Sequence, residues 1–236
     1  MMPLVAIAAG FSFAYQYGIM RDVFDAMTAQ GLSLGIILLS GMIQTLILLF
    51  FACFFGRILA EKLGLWKEIR FLQKPLTLTL IFSLAGSGIL LLDCLTFGRA
   101  YPPILDTWRS GQTLLGVITG ILYGGIVEEL LMRLMCMSLF SFLLWKIFAR
   151  KIPDVPQWAL ITGNIIAALL FAAGHLPATL GIFGQLNALI LLRCFLLNGI
   201  SGIFFGILYR KYGLHYSMLC HMGCHIFFKL LFAIFF

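Results

Sequence analysis

The sequence predicts an all-α protein, a polytopic transmembrane helical bundle of about seven membrane segments, and three observations carry that prediction. Of its 236 residues, 62% are hydrophobic and 11% are charged, with a mean hydropathy of +1.06; a soluble domain of that balance would carry apolar surface over most of its exterior. The apolar residues gather in runs of about 20, the length at which a helix spans a hydrocarbon core of about 30 Å. The Lys and Arg residues gather in the short connections between runs. A net charge of +7 therefore reads as membrane topology, and no nucleic-acid partner is implied.

The runs lie near residues 2–20, 33–56, 76–97, 112–145, 157–174, 186–209 and 213–236. The first has no basic residue before Arg21 and no small-residue cleavage site, so it reads as a retained helix and not as a signal peptide. Arg57, Lys62, Lys67, Arg70 and Lys74 follow the second run, Lys146, Arg150 and Lys151 the fourth, and Arg210 and Lys211 the sixth; the opposite connections hold only Arg21, Arg99 and Arg109. Positive charge on the inner side thus predicts a multi-pass cell-membrane protein with a cytoplasmic N-terminus and an external C-terminus. Residues 57–75 form the longest polar stretch and read as an interfacial amphipathic helix on the cytoplasmic face.

The fourth run is too long for a simple crossing, since 34 helical residues rise about 51 Å. It must tilt, break, project, or count as two segments, which would make eight. Gly116, Gly120 and Gly124 share one face of it, and Gly202 and Gly206 form a second small-residue pair, so close helix approach is expected at both. The six cysteines lie mostly inside apolar runs and read as small core residues without disulfides. No linker, repeat or soluble domain interrupts residues 1–236, which form a single integral-membrane domain.

Of the nine acids, Asp22, Asp25, Glu61, Glu68, Asp93, Asp106 and Asp154 fall in polar connections or at segment ends. Glu128 and Glu129 alone sit far from either end of a run, where ionisable groups cost several kcal/mol and mark function. On a helix Glu129 meets Arg133 at i+4 and forms an ion pair that holds it charged. Glu128 meets Leu131 and Met132 instead and has no local counter-charge, which leaves it as the carboxylate able to take a proton from water. The competing structural reading is a polar clamp in which Arg133 ties both acids together for assembly. His175 closes the apolar run Phe171-Ala172-Ala173-Gly174, while His221 and His225 share a helical face near the C-terminus. A histidine pair at that spacing can bind metal or aim two donors at one point.

The order Glu128-Glu129-x-x-x-Arg133, Phe171-x-x-x-His175 and His221-x-x-x-His225 on a polytopic chain resembles the CAAX-protease and bacteriocin-processing (CPBP, or ABI) family of intramembrane endopeptidases, with motifs covering about residues 112–228. The resemblance implies hydrolysis of a peptide bond in a membrane-associated or lipidated peptide or protein substrate. Glu128 and His175 would activate a water, and His221 with residue 225 would stabilise the oxyanion; Glu129 and Arg133 complete the first motif. The family's last motif usually ends in Asn or another small polar residue, and here that position is His225. Both metalloprotease and glutamate-protease descriptions exist for the family, so a zinc ion held by Glu128, His175 and His221 stays open beside a metal-free site. Two other functions share these residues: a non-proteolytic immunity or scaffold protein of the same fold, and a proton- or metal-coupled transporter. Against the transporter, the glutamates cluster on one turn and no inverted repeat is evident.

One expectation is awkward. Counting rise from the basic side puts His175 roughly 27 Å deep and His221 roughly 12 Å deep, so a simple topology does not bring them level.

Overall fold

The computed structural model describes residue 25 and residues 28–236, and among them it is helical throughout, with no strand. Its elements are α1 (Leu34–Lys62), α2 (Gln73–Asp93, extended by a π turn Cys94–Gly98), α3 (Pro102–Ser110), α4 (Leu114–Phe148), α5 (Gln157–Gly174), α6 (Leu176–Phe183), α7 (Ala188–Tyr212) and α8 (Leu214–Phe235). Six continuous helical stretches are long and apolar enough to cross a membrane: α1, α2 with its π turn, α4, α5 together with α6, α7 and α8. The first apolar run, 2–20, and with it the retained-helix reading and the N-terminal orientation, lie outside the described residues.

Local sequence accounts for where the helices begin and end. The Ser33 hydroxyl, the Thr113 hydroxyl and the Asn187 amide oxygen accept from the backbone N–H of Ile36, Gly116 and Ile190 at 3.0 to 3.3 Å, each satisfying a donor that a first helical turn leaves open. At the far ends, Gly184 (φ 68°) closes α6 and Gly213 (φ 114°) turns the chain from α7 into α8, conformations that a Cβ would strain.

The bundle is inside-out relative to a soluble protein. Large apolar side chains such as Ile36, Phe50, Phe54, Leu80, Ile165 and Leu192 point outward, as a lipid solvent allows. The buried residues include many small or polar ones, among them Ser83, Ser87, Ser138, Ser141, Asn164 and Ser217. These act as joints between helices. The Ser83 hydroxyl lies 3.1 Å from the Cys220 carbonyl and the Ser87 hydroxyl 3.0 Å from the Cys224 carbonyl, fixing α2 along α8. Asn164 of α5 donates to the Ile203 carbonyl at 3.2 Å and fills the space above Gly206, while Gly202 seats Ala168. The predicted close approach at these two glycines is thus realised. All six cysteines are free and buried or half-buried.

One expectation needs correction, and two others are made specific. The fourth run remains one helix of 35 residues, Leu114–Phe148, and does not split into two. Gly120–Glu128 and Leu130–Met137 are wound as π-helix, a wider coil that accommodates the excess length and recurs at functional sites. Residues 57–75 do not form an amphipathic helix: α1 continues to Lys62, Gly64 (φ 67°) turns the chain, and Leu65–Leu72 run as an extended strap. The strap's backbone is paired with α8, the Arg70 carbonyl accepting from the Tyr216 hydroxyl at 2.6 Å and the Leu72 N–H donating to that hydroxyl at 2.8 Å. Those bonds replace the ones a helix would supply. Finally, Asp93 does close the α-helical part of α2, a segment end as expected. It is buried and forms a two-point ion pair with Arg193 of α7, whose guanidinium also lies 5.3 Å from the Phe183 ring.

Candidate active site

The site is built where α4 meets α8. Ser217, His221 and His225 recur at i, i+4 and i+8 on α8, so all three face the same neighbour. That neighbour is the π-wound part of α4, whose glycines make room for them. A Cβ on Gly124 would lie 2.6 Å from His225 Nε2 and 3.1 Å from His221 Nε2, and one on Gly120 would lie 3.0 Å from the His225 ring. The glycine stripe noted in the sequence is therefore the seat of the two histidines.

Glu129 is fully buried and stands at the centre. One carboxylate oxygen accepts from Arg133 Nε at 3.3 Å and from the Ser217 hydroxyl; the other accepts from His221 Nδ1 at 2.9 Å. The predicted ion pair with Arg133 is present, both side chains having no exposed surface. With a carboxylate as acceptor, Nδ1 must carry the proton, so the neutral His221 ring presents an unprotonated Nε2. That Nε2 points at the second acid, 3.7 Å from Glu128 Oε2. Glu128 differs from its neighbour: it has no Lys or Arg partner among the described residues, but at 24% exposed it is the less desolvated of the two acids, against the expectation of a desolvated carboxylate.

Aromatic rings fix the remaining degrees of freedom. The Phe205 ring stacks on His221 at 4.4 Å and 16°, and His225 stacks on its other side at 5.1 Å and 12°. Phe171 meets His221 edge-on at 5.6 Å and His175 at 4.7 Å. The Arg133 guanidinium lies 5.6 Å from the Phe171 ring and 5.8 Å from the Phe205 ring, contacts that stabilise a desolvated cation. Its two terminal nitrogens are buried and have no hydrogen-bond partner among the described residues.

His175 stands at the joint of α5 and α6, inside a 27-residue helical stretch, Gln157–Phe183, that Pro177 does not end. Its Nδ1–H donates to the Phe171 carbonyl at 2.8 Å, leaving Nε2 free. The depth mismatch expected between His175 and His221 is absent, because both rings rest on Phe171. Yet no hydrogen bond or ion pair joins His175 to Glu128. Among the described residues no three His, Cys, Asp or Glu side chains converge to hold a metal. The proposed zinc set of Glu128, His175 and His221 is not brought together in this arrangement: His221 Nε2 lies 3.7 Å from Glu128 Oε2, and His175 joins neither.

Three contributors escaped the sequence reading. Ser217 could have been found, since it lies one turn before His221 on the same face. Phe171 appeared only as part of a motif and Phe205 not at all, because an aromatic residue in an apolar run carries no signal of what it stacks against.

The bundle and its buried charges define a multi-pass integral membrane protein with a carboxylate and imidazole centre. Residues 110–227 match the family described as type II CAAX prenyl endopeptidase, Rce1-like, over half the chain, and the protein belongs to that family. The family assignment makes a CAAX-type intramembrane endopeptidase the general class. No match is found among curated proteins or solved structures.

Proposed function

We propose that the chain hydrolyses a peptide bond in a membrane-associated or lipidated substrate with a water activated between Glu128 and His221. The observation that carries this reading is the relay in which Glu129 fixes His221 Nδ1, so that Nε2 faces Glu128 Oε2 across 3.7 Å. A water hydrogen-bonded to both would lose a proton to Glu128, which hands it on to His221 Nε2, as the water oxygen attacks the substrate carbonyl carbon. The resulting imidazolium, held by the Glu129 carboxylate, donates from Nε2 to the oxyanion or to the departing amine nitrogen as the C–N bond breaks. No nucleophilic serine or cysteine takes part.

The roles differ from a simple acid and base pair. Glu129 and Arg133 are positioning residues, Glu128 is the proton acceptor, and His221 passes the proton. His175 touches Phe171 and has no hydrogen-bond partner at Nε2 among the described residues, and its proposed role is to orient the substrate carbonyl or a second water. His225, stacked on His221, supplies a further donor near Gly124. The basic connections at Lys67–Lys74, Lys146–Lys151 and Arg210–Lys211 are proposed to face the cytoplasm of a cell-membrane protein, following the charge bias.

The test is to incubate the purified full chain in detergent with prenylated and unmodified peptide libraries and to compare wild type with Glu128→Gln by mass spectrometry. Products formed by wild type and lost in the variant are expected. Identical peptide maps for wild type and buffer alone, with the protein folded, would remove the protease reading in favour of a binding role.

A further inference from the structure

The strap Leu65–Leu72 and the start of α8 enclose a feature unrelated to hydrolysis. A cavity of about 370 Å³ is bounded by Lys67, Arg70 and Lys211, with Tyr212 and Tyr216 forming its wall. Beside it a groove of about 590 Å³ runs from Lys74 along Thr77, Leu78 and Ile81 of α2, and Tyr212 lines both spaces. Both spaces are lined mainly by apolar surface, and the basic side chains gather at the first.

We propose that this pair of spaces binds an anionic phospholipid, its headgroup phosphate in the chamber and an acyl chain along Leu78 and Ile81. Charge supports the headgroup. Glu68 is committed to Arg70 at 2.6 Å, while Lys67, Lys74 and Lys211 have no ion pair among the described residues. Two ammonium groups, Lys67 and Lys211, and a shared guanidinium therefore line a chamber with a single acid, and Lys74 stands at the groove beside it, a balance that attracts phosphate. The strap's other side chains supply the depth. Trp66, Ile69, Phe71 and Leu72 are exposed on it, and such aromatic and aliphatic residues beside Lys and Arg mark the headgroup boundary of a bilayer. The trough then descends along α2, in the direction of an acyl chain. A free anion such as phosphate would use the chamber and leave the trough without function.

The geometry also links this site to α8. The strap carbonyl of Arg70 accepts from Tyr216 and from His215 Nε2, at 2.6 and 3.1 Å, and Tyr216 immediately precedes Ser217. A Cβ on Gly213 would lie 3.2 Å from the Lys67 Cβ, so the strap is packed against the turn that opens α8. Occupancy would hold the strap against that turn.

The experiment is native mass spectrometry of the delipidated full chain titrated with phosphatidylglycerol, phosphatidylcholine and inorganic phosphate. Phosphatidylglycerol should be retained roughly ten-fold better than phosphatidylcholine, and inorganic phosphate should not displace it. The triple variant Lys67→Gln, Lys74→Gln, Lys211→Gln should lose that preference, and the corresponding triple Lys→Arg variant should keep it. Leu78→Trp, which fills the trough, should weaken retention of phosphatidylglycerol. Equal retention of the two lipids by wild type, an unchanged preference in the folded Lys→Gln variant, or displacement by inorganic phosphate would each overturn the proposal.

Discussion

Glu129 and His221 are joined by a 2.9 Å hydrogen bond from Nδ1 to a carboxylate that has no exposed surface and also accepts from Arg133 and Ser217. Glu129 thereby stabilises two partners of different kinds, the permanent cation of Arg133 and the tautomer of His221. Charge in the bundle interior is tolerated because both oxygens of this acid accept hydrogen bonds, one of them from the paired cation.

From that bonding follows a difference between the two neighbouring acids. Glu129→Gln keeps the shape but leaves Arg133 without its counter-charge, a loss of about 3–5 kcal/mol for a broken buried pair, and it releases His221 from its tautomer. Both thermal stability in detergent and peptide cleavage should fall. Glu128→Gln removes only the proposed proton acceptor from a partly exposed position, so cleavage should vanish with the unfolding midpoint within a degree or two of wild type. Matching behaviour of the two variants in both assays would show that the roles are wrongly divided.

Gly124 offers a test that adds atoms without removing any functional group. In Gly124→Ala the new methyl would sit 2.6 Å from His225 Nε2 and 3.1 Å from His221 Nε2, so one or both rings must tilt away from α4. The 3.7 Å approach of His221 to Glu128 would be disturbed, and a displacement of about 1 Å in a reacting group costs about 100-fold in rate. The helix itself gains propensity from alanine. Cleavage should therefore fall by about that factor while the far-ultraviolet circular dichroism is unchanged. Full activity in this variant would place the reactive centre elsewhere than between α4 and α8.

How much of this could be read from the chain depends on the range of the interaction. Glu129 and Arg133 are four residues apart, and helical geometry alone joins them. The grouping of Ser217, His221 and His225 is equally local. By contrast, the π winding of Gly120–Met137 has no local code. Its first part, Gly120–Glu128, lies against α8 and its second, Leu130–Met137, against α1 and α5, contacts that only the packed bundle defines. Asp93 and Arg193 are a hundred residues apart, and no sequence pattern joins charges at that distance. The strap was misread as a helix because its alternation of basic and apolar residues suits a membrane surface in either conformation; Gly64 and the pairing with Tyr216 decide between them.

The Asp93–Arg193 pair should behave as a structural joint. Asp93→Asn leaves a buried guanidinium facing a neutral amide, and the unfolding midpoint should drop well below that of wild type, since breaking such a pair costs about 3–5 kcal/mol. Replacing both partners, Asp93→Leu with Arg193→Met, removes the charge altogether and should recover most of the loss. A double variant no more stable than Asp93→Asn would show that the ion pair itself holds α2 to α7.

His225 is the position at which the chain departs from the usual family pattern, and the structure gives it a place one turn beyond His221. Its ring lies parallel to that of His221 at 5.1 Å and covers Gly120 and Gly124, so it both packs and presents nitrogen to the site. Asparagine retains an N–H donor on a shorter side chain, whereas leucine retains bulk and loses every donor. His225→Asn should keep activity within about ten-fold of wild type, and His225→Leu should lose about 100-fold or more, the scale for deleting an oxyanion donor. Cleavage rates measured on variants of equal thermal stability separate the two contributions. A fully active His225→Leu would reduce the residue to packing. A dead His225→Asn that folds normally would instead make the imidazole itself necessary, through its stacking on His221 or through a proton that an amide cannot carry.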